Sequence, residues 1–181
     1  MAFDGFLMAA LTKELSDRLT GGHLQKISQP EQDELILAVK NNRQTWRLVL
    51  SASPSLPLIY LTDKSKTAPL TAPNFCMLLR KHLGGAKILS FEQVGLERVI
   101  RIQLENLNEL GDVVQKSLMV EIMGKHSNII LVDEKNTIVD SIKHINGLTS
   151  SVRQVLPGLD YFIPNTQHKI CLLYTSDAAD D

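Results

Sequence analysis

Residues 34–50 read Glu34-Leu35-Ile36-Leu37-Ala38-Val39-Lys40-Asn41-Asn42-Arg43-Gln44-Thr45-Trp46-Arg47-Leu48-Val49-Leu50. Two runs rich in Leu, Ile and Val flank the Asn41-Asn42 turn signal, and so short a connection joins antiparallel neighbours. Residues 34–40 and 44–50 are therefore expected to form a hairpin. Working outward, strands are expected at 58–61, after the Pro54 and Pro57 breaks, at 87–91 and at 98–104. A second hairpin pairs 128–132 with 137–141 around the turn at 133–136. The first helix carries Phe6, Leu7, Ala10, Leu11, Leu15 and Leu19 on one stripe, with Asp4 as N-cap and Gly21-Gly22 as its stop. Thr71 is expected to cap a helix over 72–83, with Pro73 in the first turn and Gly84-Gly85 at the end. A short helix is expected at about 115–123, and a helical turn through Val155 capped by Ser150 or Ser151. The fold class is α+β: short antiparallel strands forming a sandwich with flanking helices.

The chain has 181 residues, 44% hydrophobic and 22% charged, enough for one core. Residues 1–164 are expected to form one domain and 165–181 an irregular tail. The last eleven residues, from Cys171, have the composition of read-through into foreign sequence. No apolar run reaches membrane-spanning length, and Met1-Ala2-Phe3-Asp4 begins no secretory signal. Cys76 and Cys171 lack zinc spacing, which favours reduced thiols and a cytoplasmic location. Net charge is −1, yet residues 1–100 carry 12 Lys/Arg against 9 Asp/Glu. A phosphate-facing patch is permitted, not required.

Each chemically suggestive group has a structural alternative. Asp4 can cap its helix or hold a neighbouring arginine. Glu97-Arg98 can end a strand, or Arg98 can fork onto phosphate or stack on a base while Glu97 or Asp4 positions it. Arg80, Lys81 and His82 suit a helix C-terminus; Arg80 and Lys81 can also contact phosphates, a surface that Lys87, Lys13, Arg18 and Lys26 would extend. Lys125, His126 and Ser127 follow the turn at Gly124. Ser127, His126 and Asp133 make a poor hydrolytic set, because adjacent residues of an extended segment point in opposed directions. No His, Cys and Asp grouping has metal-ligand spacing. Trp46, Met77, Met119 and Met123 are expected in the core. The two Gly-Gly pairs lack the rest of any nucleotide-binding motif, so no cofactor is expected.

Several segments together resemble the N-terminal domain of the NFACT family, which includes bacterial RqcH and fibronectin-binding protein A-like proteins and eukaryotic relatives of the NEMF type. They are Met1-Ala2-Phe3-Asp4-Gly5, Lys26-Ile27-Ser28-Gln29-Pro30, Phe75-Cys76-Met77-Leu78-Leu79-Arg80-Lys81-His82-Leu83, Glu97-Arg98, Glu121-Ile122-Met123-Gly124-Lys125-His126-Ser127-Asn128 and Asp140-Ser141-Ile142-Lys143-His144. The resemblance covers about residues 1–164. It implies a fold similar to the N-terminal domain of formamidopyrimidine-DNA glycosylases. It also implies a non-catalytic tRNA-binding module of a ribosome quality-control factor, which engages obstructed large ribosomal subunits carrying peptidyl-tRNA and supports alanine tailing of stalled chains. Alanyl-tRNA and the large subunit are the implied partners, with fibronectin binding as the alternative. The resemblance implies Asp4, Glu97 and Arg98 as tRNA-binding residues; the basic residues Arg80, Lys81, Lys125 and His126 are expected to add to the same binding. Glu97 stands where many bacterial members have Asp, and His23 and Leu58 stand where basic residues are expected. The glycosylases' N-terminal proline amine has no counterpart in Met1-Ala2-Phe3. The family's later coiled-coil and RNA-binding parts are missing, so the chain is expected to be a fragment.

Overall fold

A computed structural model describes residues 5–95, 97–148 and 153–163. Asp4, Ser150, Ser151, Cys171 and the tail from 164 onward lie outside the described residues. Helix α1 spans Gly5–Leu19. Its buried stripe is Met8, Leu15 and Leu19, with Thr12 and the half-buried Leu11, while Phe6, Leu7 and Ala10 are exposed. The expected stripe was thus rotated: the register set by Leu15 and Leu19 extends back through 12, 11 and 8.

Strands β1 (His23–Glu31), β2 (Glu34–Asn41), β3 (Gln44–Ser51) and β4 (Leu58–Thr62) form an antiparallel meander. Asn42 and Arg43 have φ of 51° and 67°, the left-handed pair that a tight β2–β3 turn needs. β1 has no counterpart among the strands expected from the sequence. Irregularities between Leu24 and Lys26, and between Ser28 and Glu31, break its alternation.

Helix α2 spans Asn74–Leu83, capped by Pro73 in extended conformation and by no side chain. The expected start at Ala72 fails because a residue before proline is steered out of the helical region. Phe75, Cys76, Leu79 and Leu83 are buried, His82 is half-buried, and Met77 is exposed rather than in the core. Strands β5 (Lys87–Gln93), β6 (Val99–Leu107), β7 (Val113–Glu121), β8 (Asn128–Val132) and β9 (Ile138–Ser141) complete the sheet. β7 replaces the helix expected at 115–123. Its last four residues are all buried because both faces are covered, and an unbroken apolar run carries no strand period.

The nine strands run in the order β4-β3-β2-β1-β5-β6-β7-β8-β9, one continuous hydrogen-bonded antiparallel sheet. Its halves meet at one register pair, His23 with Lys87, braced by Gly21 and Ile88 at 2.8 Å and by Leu24 and Ala86 at 2.9 Å. Helix α1 packs on β5 and β2, and α2 on β1, β6 and β9, so the helices bridge the halves and share one core with them. The opposite face of β6–β9 holds Val99, Met119, Ile130, Val132 and Ile138 beneath Val155 and Tyr161. Val155 bridges to Ile145 in extended conformation and not as the end of a helical turn. Buried Glu121 fastens this covering segment: Tyr161 donates to it at 2.6 Å, and Arg153 forms an ion pair with it and donates to the Phe162 carbonyl at 2.6 Å. No helix among the described residues is long and apolar enough to cross a membrane.

Candidate nucleic-acid interface

Glu97 and Arg98 sit in the tight turn between β5 and β6. The turn is closed by Glu97 N–H donating to the Val94 carbonyl at 3.0 Å and by Val94 N–H donating to Val99 at 3.0 Å. The Gln93 amide adds a bond to the Glu97 carbonyl at 3.0 Å. Both Glu97 and Arg98 are half-buried. Burial pushes the Glu97 carboxyl above the usual carboxylate range, and the Arg98 guanidinium pulls it back.

The Arg98 carbonyl accepts from Ile122 N–H at 2.9 Å, which ties this turn to the exit of β7. There, residues 122–128 form a compact loop with one 3₁₀ turn, Gly124–His126. Ser127 is buried and builds the loop: its Oγ accepts from Met123 N–H at 2.8 Å and donates to the Gly124 carbonyl at 2.7 Å. Ser127 is thereby occupied by backbone, while Lys125 and His126 are exposed. Asn128 bonds both the N–H and the carbonyl of Lys143, bringing a third segment to the same end of the sheet. Burial lowers the pKa of Lys143, and Asp33 opposes this. His144 contacts Asp140 at 2.6 Å. Glu97, Arg98, Lys125 and His126 therefore gather at one end. Lys143 and His144 join them through a side-chain bond between residues far apart in the chain, which no local pattern reveals.

Arg80 and Lys81 lie elsewhere. Arg80 Nε donates to the Ile27 carbonyl at 2.9 Å, a structural bond to β1, although the residue is exposed. Beside exposed Lys81, Asn106 on β6 bonds the His82 and Gly84 carbonyls, each at 3.1 Å. The C-terminus of α2 is thus near the far end of β6, and Val99 and Asn106 are roughly 24 Å apart along an extended strand. Burial, then Lys116 and Lys81, holds the His82 imidazole below its ordinary pKa. Lys116 thus belongs to a second cationic cluster that sequence order alone did not indicate. Lys13 pairs with Asp17 at 3.1 Å, and Arg18 pairs with Glu14 at 3.6 Å and lies over Trp46 at 5.4 Å. Those two cations are partly engaged within the fold. Among the described residues, no three His, Cys, Asp or Glu side chains are grouped to hold a metal ion.

Comparison with known proteins bears on this arrangement. The family described as NFACT N-terminal and middle domains matches residues 4–180. The Rqc2 homolog RqcH of Bacillus subtilis is 42% identical over 178 residues, which is 98% of this chain and 31% of that protein. The Rqc2 homolog RqcH of Streptococcus pneumoniae is 45% identical over 165 residues, 91% of this chain and 30% of that protein. The chain thus spans about a third of the length of these curated relatives. The crystal structure of the N-terminal domain of fibronectin-binding protein PavA from S. pneumoniae superposes with a TM-score of 0.87 at 41% identity, covering 97% of this chain and 70% of that one.

Proposed function

We propose that this chain, which belongs to the family of NFACT N-terminal and middle domains, is a non-catalytic tRNA-binding module of a ribosome quality-control factor. The observation that carries this reading is the hydrogen bond joining the Glu97–Arg98 turn to the loop that exposes Lys125 and His126. It brings the Glu97–Arg98 segment to the segment that carries exposed Lys125 and His126, which supports reading them as one site. RNA is recognised through shape, phosphates and unstacked bases, so a small cationic edge with one planar guanidinium suffices. Similarity to proteins called Rqc2 homologs supports the cellular role. In a full-length protein, the module would present tRNA, alanyl-tRNA by the family likeness, to an obstructed large ribosomal subunit during alanine tailing. By the family likeness alone, Asp4 is assigned a part in the same tRNA binding. The fold is taken to be similar to the N-terminal domain of formamidopyrimidine-DNA glycosylases.

Arg98→Ala is expected to weaken tRNA binding by about 1–3 kcal/mol, with the melting temperature close to that of the parent. Electrophoretic mobility shift or fluorescence anisotropy reads the effect, and equal affinity in a folded variant removes Arg98 from the site.

A second reading rests on the likeness to solved structures called fibronectin- or fibrinogen-binding proteins. It takes this chain as an adhesin-like module. Binding of immobilised fibronectin that persists at high salt, together with no measurable tRNA binding, selects it over the first.

A further inference from the structure

The face of β1–β4 turned away from the shared core is sorted by charge along its strands. Strand register sets two neighbouring rows on it. One runs through Lys40, His23 and Lys87 on β2, β1 and β5, and the other through Arg47, Ala38 and Lys26 on β3, β2 and β1. Intervening Leu24, Ile27, Leu37 and Val39 are buried in the core, so the residues of the rows face outward. His23, Lys26, Lys40 and Lys87 are exposed, and half-buried Arg47 is steadied by a bond to the Asp63 carbonyl at 3.1 Å.

Neighbouring strands lie about 4.8 Å apart and successive outward residues roughly 7 Å apart, so these five groups, spread over β3, β2, β1 and β5, fall within a patch roughly 14 by 7 Å. Between Arg47 and Lys26 stands only the methyl group of Ala38. Acids on this face collect at the other end of the meander, where Glu31 faces Glu34 and Lys66 bonds Glu34 at 2.9 Å. Among the described strand pairs, the rows meet a carboxylate on β6, where Glu105 pairs with Lys87, and Arg47 lies beside Asp63, whose backbone it bonds.

We infer that this face is a second contact surface for RNA, holding a phosphodiester backbone by charge and not by base identity. A repeating anion matches cations set in rows, whereas a single phosphate would engage only one or two of them. The surface is distinct from the Glu97–Arg98 turn, since Lys87 and Gln93 stand at opposite ends of β5, roughly 20 Å apart. It shares with the proposed function only the choice of RNA as ligand.

The test compares the parent chain, Lys26→Ala/Lys40→Ala and Arg98→Ala for binding to poly(U) and to tRNA over a salt series. The double variant is expected to bind both RNAs about tenfold more weakly at low salt, with the poly(U) log–log salt slope shallower by about 1.4. Lys26→Gln/Lys40→Gln, which keeps polar heads on the same strands, repeats the result should the alanine pair fold poorly. Unchanged poly(U) affinity and slope overturn the inference, whatever Arg98→Ala does to tRNA. Weakened poly(U) binding with tRNA unaffected by Arg98→Ala leaves this surface standing and removes the other. Reduced retention by vesicles of anionic lipid, with RNA affinity unchanged, assigns the face to a membrane surface and also overturns it.

Discussion

Glu121 is the residue whose surroundings the fold can least afford to lose. Burial raises its carboxyl pKa against the pull of Arg153, so the ion pair stands in a setting that penalises either charge alone. Glu121→Ala would strand the mostly buried Arg153 guanidinium and is expected to cost about 3–5 kcal/mol. Replacing both partners, as Glu121→Leu/Arg153→Met, should recover part of that loss, because the stranded charge goes with them while the Tyr161 hydroxyl still lacks its acceptor. Urea denaturation of the parent and the two variants measures the difference, and a double variant no better than Glu121→Ala counts against the account.

His82 offers a pH signature of defined sign. Burial, Lys116 and Lys81 hold its pKa below the ordinary 6.5, so the folded state favours the neutral ring. That contribution is intact above about pH 6.5 and is lost as the pH falls through the lower folded value. His82→Gln should therefore lose less stability than the parent on going from about pH 7 to about pH 5. Urea midpoints at the two pH values test this, and parallel declines would exclude His82 as a source.

At the scale of elements, the corner between β1 and β5 depends on close approach at Gly22. A Cβ there would stand 2.7 Å from Val39 Cγ1 and 3.0 Å from the Lys40 carbonyl. Gly22 also accepts from Ile88 N–H at 2.8 Å, so the backbone has little room to retreat. Gly22→Ala is expected to cost about 1–3 kcal/mol by overpacking the joint between the halves. Gly147→Ala, where the nearest atom is 3.8 Å away, serves as the control and should be close to neutral in the same thermal melts.

The elements also differ in how readable they were. The β2–β3 and β8–β9 hairpins carry their own turn chemistry, including Asn136 at φ 66° and an Asp133 carboxylate accepting from Lys135 and Thr137 N–H, each at 2.9 Å. Local sequence is enough for such units. β7 was misread as a helix because its second face is covered by a segment more than thirty residues away, which erases the alternation a half-exposed strand would show. β1 was missed because its irregularities interrupt the same signal.

Across the whole molecule, sequence alone determined the class of the fold, both hairpins, two helices and the Glu97–Arg98 and Lys125–His126 segments as functional candidates. These are properties of short windows: turn residues, periodicity and motif wording. Only the tertiary structure decided which candidates meet. It joined Arg98 to the 122–128 loop, sent Lys81 toward the far end of β6, and set Lys26, Lys40, Arg47 and Lys87 on one face. The physical reason is that strand pairing brings together residues far apart in the chain. Which side chains share an edge or a row follows from register and sheet order, and neither is encoded in any single window.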